Sequence, residues 1–591
     1  MSVIIKELEI ENFRSCKNTK IILNNFSALI GYNNAGKSNI ILAIKFLLEA
    51  TNARSFNYSN NANDATQPII VSALLTNLTE DNLQLLDDDH AERLRPYIQN
   101  QNLRIQRISQ LDTQGRQKIS IKLFDGNTWN LNPAGIDQAI IKLFPTFIHI
   151  GAMTDANEDS TKNKSGTAIA KLLSLISETI QQNYHEDFTN SLSRVSELLA
   201  FDSPNRITDL STVDSGINQI LNNFFPDISV KLHFPTPTIE DIFKNGTLKV
   251  FENEDTERDF SNFGHGTQRS IQMALIRYLA SIQQENPNLR RSNTILCIDE
   301  PELYLHPTTI ELVRDAFMTL AQAGFQVVFS THSASLLSAQ HAMNAVQIFK
   351  TSELGTQARQ PISTIISELY EQHYSQLDET FKLNNASQIF FCDEVLLVEG
   401  KTELRVLPSI YSKINASPFH LRKLALVAVQ GKQNLILMQR VIEALGIPTR
   451  IIADLDFVGN CAQWNLIDES SQECFDKFRK FIFENREHPN LELSVEQTAN
   501  LQALSTIKAK KYTFIASLPH AAPLIQDVHN ALKEKRIYIW KKGDIESIYG
   551  FNSKKEQEWQ QFNSALINPE CSISELVADY EHLRESIEWI N

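Results

Sequence analysis

Two groups of residues in this sequence have the types and spacing suited to chemistry on phosphates. The first is "GYNNAGKS", residues 31 to 38, which fits the pattern G-x-x-x-x-G-K-[ST]. The apolar "FSALI" before it and "NIILAIKFLL" after it supply the strand and the helix that such a loop must join. Gly31, Asn33, Asn34 and Gly36 are placed to let backbone N–H groups wrap phosphate oxygens. Lys37 would reach the terminal phosphates of a nucleotide and Ser38 would hold Mg2+. Further on, "TILCIDEPE" ends an apolar run on Asp299 and Glu300. Asp299 suits a metal ion held through water, and Glu300 suits the orientation or deprotonation of an attacking water. "VVFSTHS" then delivers His332 just past another apolar run, where it could sense a γ-phosphate; a buried structural histidine is the bland alternative. Between these, "SNFGHGTQ" sets Ser261, Gly264, Gly266 and Gln268 in a small-residue turn opening a helix, a second phosphate cradle.

The second group is acidic. "EVLLVEGKTE" ends an apolar strand on Glu399, follows it with a turn-permitting Gly400, and brings Glu403 four positions later. "TRIIADLD" repeats the device with Asp454 and Asp456. Their two-residue spacing turns both to one side if the strand continues, or brackets a metal if the chain turns. Taken singly, a strand-end Glu-Gly is a common turn and an Asp-x-Asp a common helix cap. Together at the carboxyl ends of strands, where ligands of parallel sheets collect, they point to hard-cation chemistry. Two Mg2+ ions, or Mn2+, would offset the mutual repulsion of such carboxylates and support phosphodiester cleavage.

Elements must hold these residues in place. A chain of 591 residues exceeds what one core usually organises, so two or more domains are expected. Strand-like runs alternate with helical patterns in both halves, predicting α/β architecture with parallel sheets. Short strands are expected at "LRIQRISQL", "KISIKLF", "PTFIHIG", "ISVKLHF" and "GTLKVFEN", a long helix over 266 to 284, and amphipathic helices over 165 to 225. "DDDH" at 87 to 90 reads as a solvated loop or helix start. The net charge of −15 excludes a chain coated in phosphate-binding cations, though a local basic groove remains compatible with it. Six scattered cysteines with no C-x-x-C pair predict reduced thiols, no zinc site and a cytoplasmic setting. No membrane span and no secretion signal are expected.

The set "GYNNAGKSN", "SNFGHGTQ", "CIDEPELYLHP" and "STHSASLL", with the opening "IENFRS", resembles the ABC-type ATPases of the SMC/RecF class. That resemblance implies an ATP-bound head-to-tail dimer in which the "SNFGHGTQ" turn of one copy caps the nucleotide of the other. The gap between Ser38 and Ser261 holds mixed strands and a modest helical insert, which excludes a long coiled-coil arm. "VEG" followed by "DLD" resembles the Toprim fold. An ABC-type ATPase followed by Toprim looks like the OLD (overcoming lysogenization defect) family. The implied division is 1–160 and 231–385 for the ATPase, 161–230 for a helical insert, either a dimer contact or simple core helices, and 386–591 for Toprim.

The family resemblance implies an ATP-controlled, metal-dependent DNA endonuclease or nickase used against invading phage, working alone, beside a helicase, or with a retron reverse transcriptase and its msDNA. It makes Glu399, Glu403, Asp454 and Asp456 metal ligands and adds Asp544 and Glu546 of "GDIE" for the second ion. A homodimer or higher homo-oligomer through the ATPase and insert is expected. A late lysine of the family falls among Lys541, Lys542, Lys554 and Lys555. A non-cleaving DNA-binding clamp with a structural Toprim domain is the alternative, and a primase-like role lacks a zinc module.

Overall fold

The computed structural model describes residues 2–49, 56–84, 86–131, 140, 143–151, 168–225, 227–234, 248–252, 256–285, 294–333, 336–337, 344–361, 363–365, 386–429, 431–551, 556–568 and 571–591. The chain forms two compact units. One comprises Met1–Leu29, Asn33–Leu336 and Ile348–Ala358, the other Ile30–Tyr32, Leu337–Gln347 and Arg359–Asn591.

In the first unit the strands are β1 (Ile4–Phe13), β2 (Cys16–Ile22), β3 (Phe26–Ile30), β4 (Ile69–Thr76), β5 (Ile98–Gln99), β6 (Asn102–Leu111), β7 (Gln117–Phe124), β8 (Trp129–Leu131), β9 (Thr146–Ile150), β10 (Lys249–Glu252), β11 (Thr256–Asp259), β12 (Thr294–Asp299), β13 (Gln326–Thr331), β14 (Val346–Thr351) and β15 (Gly355–Ala358). Thirteen of them form one sheet in the order β8-β7-β6-β4-β1-β2-β15-β14-β3-β13-β12-β9, with β5 beside β6. β9, β12 and β13 run parallel. All six residues of β12 and of β13 are buried, as expected of strands covered on both faces. The fully parallel sheet expected of this half is not found. β1, β2, β4, β6, β7 and β8 pair antiparallel, because short turns such as that between Phe13 and Cys16 join neighbours without a crossover helix.

Helix α1 (Lys37–Glu49) leaves the end of β3 and buries Ile40, Ile44, Phe46 and Leu47. The buried Gln326 side chain at the start of β13 stands in for a strand neighbour: its amide donates to Ile5 O at 2.7 Å and its oxygen accepts from Ile5 N at 2.9 Å. The helical segment contains α2 (Ala168–Leu199) and α3 (Thr208–Leu221). Downstream come α4 (His265–Glu285) and α5 (Pro307–Gln322). The strand expected at "ISVKLHF" does not form. Side chains of α3 take its backbone groups: Asn218 bonds both N and O of Val230, and Asp214 accepts from Leu232 N at 2.9 Å. "DDDH" opens a helix, with Asp87 as its cap.

The second unit is built on four parallel strands, β16 (Glu394–Val398), β17 (Leu424–Ala428), β18 (Thr449–Ala453) and β19 (Ile537–Ile539), ordered β17-β16-β18-β19. Its helices include α6 (Lys401–Asn415), α7 (Gln433–Ala444), α8 (Gln472–Glu484), α9 (Ala509–Ser517), α10 (Ala521–Glu534), α11 (Ile545–Tyr549), α12 (Glu556–Ile567) and α13 (Tyr580–Ile590). Leu396, Val398, Ile410, Ile452, Tyr538, Trp540, Leu583 and Ile587 meet in one apolar core.

His529 of α10 and His582 of α13 flank β19 from inside that core, with rings 4.6 and 5.8 Å from the Tyr538 ring. Burial, helped by the charge of Lys541, pushes His529 down to about 4 and His582 down to about 3. Both stay neutral in the fold at pH values where an unfolded histidine near 6.5 takes a proton. The unfolded chain therefore binds more protons between these values, so the stability these residues contribute is present above about pH 6.5 and lost on acidification toward 4. Chemical denaturation of the H529Q/H582Q protein should show a shallower loss of stability across pH 6.5 to 4 than the parent.

Candidate functional site

The phosphate loop forms between β3 and α1 as its spacing requires. Gly31, Asn34 and Gly36 hold φ values of 155°, 64° and 105°. At Gly36 the requirement is steric as well as torsional, since a Cβ there would lie 2.1 Å from Thr356 Oγ1. That hydroxyl donates to Ala35 O at 2.9 Å and meets Ser15 Oγ at 2.7 Å, so β15 presses on the loop from beneath.

The catalytic set expected of this unit converges on the loop. Ser38 Oγ donates to Asp299 Oδ1 at 3.0 Å. Ser330 donates to the same oxygen at 2.8 Å, and His149 Nε2 lies 3.2 Å from Oδ2. Burial opposes the charge on Asp299, but the His149 contact followed by the two serine hydrogen bonds holds its carboxyl below the usual range. Glu300 follows with φ 46°, a left-handed backbone that costs a non-glycine residue roughly 1–2 kcal/mol. The buried Arg269 guanidinium holds this corner, donating to Glu300 O at 2.9 Å, to Asp299 O, and to Gly151 O at 3.2 Å. His332 Nε2 stands 2.9 Å from Lys37 Nζ and 3.4 Å from Glu300 Oε1. Glu302 steadies it by accepting from His332 N at 2.8 Å and from the Thr331 hydroxyl at 2.7 Å.

His149, Arg269, Glu302 and Ser330 lie outside the residues singled out from sequence. "TFIHI" carried the one usable signal, a histidine at the end of a buried strand. Of the second cradle, Gly264 is exposed and a Cβ there would meet nothing within 4 Å. Gln268 turns inward: it is 1% exposed, and its amide donates to Phe260 O at 3.1 Å. That hydrogen bond ties the start of α4 to the turn before it. Ser261 lies in the 3-10 turn Phe260–Asn262 before α4, and Gly266 is in the first turn of that helix.

In the second unit each acidic pair sits where a parallel strand hands over to a helix. Gly400 caps α6, and Glu403 lies in its first turn; Asp454 caps the 3-10 turn Leu455–Asn460, which carries Asp456; Asp544 caps α11, which carries Glu546. The chain thus turns after Ala453, settling the geometry of the Asp-x-Asp pair. Helix N-termini favour negative charge by about 0.3–1 kcal/mol each. Val398 pairs with Ile452, so Glu399 and Asp454 leave adjacent strands within one residue of each other. Leu455 N donates to Gly543 O at 2.7 Å, tying the second acidic turn to the third. Gly543, at φ 113°, also lets Thr513 of α9 pack closely, because a Cβ would lie 2.5 Å from Thr513 Cα.

Glu403, Asp456 and Glu546 are 2%, 5% and 7% exposed. Thr402 donates to Glu546 Oε1 at 2.7 Å, joining α6 to α11. The buried Tyr549 hydroxyl is driven well above its usual range by burial and then by the charges of Glu403 and Glu546, which places both acids beside it. Asp456 Oδ1 is buried with no hydrogen-bond partner among the described residues. Among the described residues no three acids close tightly enough to cage one ion. Mg2+ keeps most of its waters and takes one or two carboxylates, so an open acidic edge suits it. Lys541 is committed to Glu585 at 2.6 Å and Lys542 to Asp579 at 2.7 Å; Lys554 and Lys555 lie outside the described residues. Among the described residues, Lys432 reaches an acid of the set, 2.8 Å from Asp456 Oδ2.

Burial pushes the Lys37 ammonium down to about 8, against the pull of Glu300 and Asp299. A triphosphate would favour its protonated form, so nucleotide binding should take up a proton above pH 8 and weaken as pH rises further. Calorimetric titration with ATP at pH 8.5 in buffers of different ionisation enthalpy should register that uptake, and K37M should abolish it.

Comparison with known proteins accords with this arrangement. Residues 4–337 match the AAA ATPase domain family, and residues 390–456 match the TOPRIM domain of overcoming lysogenization defect protein-like proteins. The chain is 46% identical to the Old nuclease of Escherichia phage P2 over 594 aligned positions, covering all of both chains. It is 22% identical to endonuclease GajA of Bacillus cereus (strain VD045), over 69% of this chain and 67% of that one. An Smc head domain derived from Pyrococcus furiosus aligns with 62% of this chain and 99% of its own, at 14% identity and a TM-score of 0.37. Among the described residues no helix is long and apolar enough to cross a membrane. With an ATPase domain, a Toprim domain and a full-length relative at this identity, the chain belongs to the OLD family of ATP-dependent nucleases.

Proposed function

We propose that this protein cuts or nicks DNA with divalent cations, Mg2+ or Mn2+, held at the carboxyl edge of the Toprim sheet, under the control of its ATPase unit. The observation that carries this reading is the convergence of three strand–helix junctions, each delivering one acidic pair to that edge. Glu399, Glu403, Asp454 and Asp456 would serve one ion, in part through the waters it keeps, and Asp544 with Glu546 the second. Bound ions would supply an activated water and stabilise the leaving oxygen. Burying carboxylates in a merely structural Toprim domain would be costly, which disfavours the non-cleaving clamp. Basic helix α9 fits a DNA path. Lys508 and Lys510 stand exposed at its N-terminus, against the helix dipole, and Thr513 one turn on reaches Asp544 at 3.4 Å.

In the ATPase unit, Glu300 would align the attacking water, His332 would read the γ-phosphate, and Ser38 with Asp299 would hold the nucleotide's metal. The turn with Gly264 and Gly266 would cap the nucleotide of a second copy. Gly264 has neither a left-handed backbone nor a crowded Cβ position to explain it within its own chain. The insert would join the copies: Ile220, Phe224 and Phe225 are 64%, 71% and 57% exposed, and Val213, Ile217 and Ile228 are exposed as well. A role in excluding competing phage fits a family whose full-length relative is phage-encoded. A retron or helicase partner rests on the family resemblance alone.

E399A should lower metal-dependent plasmid nicking by more than roughly 100-fold, beyond what losing a residue that merely supports a metal ligand usually costs. Its ATP hydrolysis should match the parent. Nicking by E399A at the parental rate would refute the assignment. F224D/F225D should halve the mass measured by light scattering; an unchanged mass would remove the insert from the interface.

A further inference from the structure

Lys432 is the last residue of the turn between β17 and α7 and caps that helix, next to Gly431 with its φ of 110°. Its ammonium donates twice to one residue, to Asp456 Oδ2 at 2.8 Å and to Asp456 O at 3.2 Å. The lysine side chain is 21% exposed and that of Asp456 6%, so the pair is largely shielded from water. Gripping a carboxylate oxygen and the backbone carbonyl of the same residue fixes both main chain and side chain. Oδ2 is then engaged in a charge-assisted hydrogen bond. Oδ1 stays buried without a hydrogen-bond partner among the described residues. The two oxygens are thereby made unequal, one neutralised by the protein and one left as a donor.

We infer that Lys432 is a positioning residue of the nuclease site, which seats Asp456 with Oδ1 toward the divalent cation and supplies part of the counter-charge that the cation would otherwise provide. The inference rests on reading the acidic edge as the nuclease site. In the metal-free protein the ammonium offsets a buried carboxylate, whose exposure to the low-dielectric interior without a partner is strongly unfavourable. In the loaded site the same ammonium competes electrostatically with the ion. Lys432 therefore stabilises the empty site and weakens its hold on metal, which keeps the ion exchangeable while preserving the geometry of its ligand.

The charge-removing variant K432M should melt at a lower temperature than the parent in EDTA and recover most of the difference when Mn2+ is added. By calorimetry it should bind Mn2+ about tenfold more tightly, the equivalent of ~1.4 kcal/mol. K432R, which keeps the charge, should bind Mn2+ within about threefold of the parent, and decides the matter alone if K432M does not fold. Nicking by K432M should fall in kcat with little change in KM for DNA. Unchanged Mn2+ affinity and unchanged metal-free melting in K432M would overturn the inference, as would a loss confined to DNA affinity, or a tenfold loss of Mn2+ affinity in K432R. Absence of Mn2+ binding in the parent, or binding unaffected by E399A, would instead overturn the nuclease-site assignment itself.

Discussion

Negative charge delivered into the interior at the ends of apolar strands is the constraint on which both units are built. β12 is buried at every position and ends on Asp299; Glu399 and Asp454 follow directly on the buried ends of β16 and β18. A carboxylate carried so far from water must be matched by donors, dipoles or cations, and the surroundings of each acid follow from how that is met. Asp299 is met by two hydroxyls and His149. The Toprim acids are met by helix N-termini and, at Asp456, by an ammonium. The first solution is a closed set of hydrogen-bonding side chains around one oxygen pair. The second leaves room for ions.

The ATPase corner also shows how strain and support are divided. Glu300 takes a left-handed backbone immediately after the buried strand, and Arg269 holds the two carbonyls on either side of that bend. Glu302, two residues on, fixes the backbone of His332 instead of facing solvent. A guanidinium and a carboxylate thus hold the backbone of Glu300 and His332 in position. Thr356 and Ser15 do the same for the loop, filling the space that the absence of a side chain at Gly36 leaves.

What was legible in the sequence was local. The phosphate loop is one contiguous segment whose glycines, lysine and flanking apolar runs state their own geometry, and each acidic pair is announced by an apolar run ending in a turn. What was not legible depends on which strands become neighbours. His149 matters because β9 pairs with β12, and Lys432 because the turn after β17 lies near the one after β18, and no spacing records either fact. The segment 228–234 alternates like a strand, yet polar side chains of α3 took the hydrogen bonds a partner strand would have made. The place of Gln268 in a glycine-rich turn does not announce that its long amide folds back onto Phe260 O.

The apolar ridge at the end of the helical insert sets a thermal condition on whatever closes it. Ile220, Phe224 and Phe225 offer hydrocarbon and little that could form directional bonds. Association through such a surface draws on water release, which weakens as the solution is cooled and strengthens with salts excluded from protein surfaces. An association held this way would be loosest in the cold. Its state of association would then shift with temperature even where every residue of its two active sites stays in place.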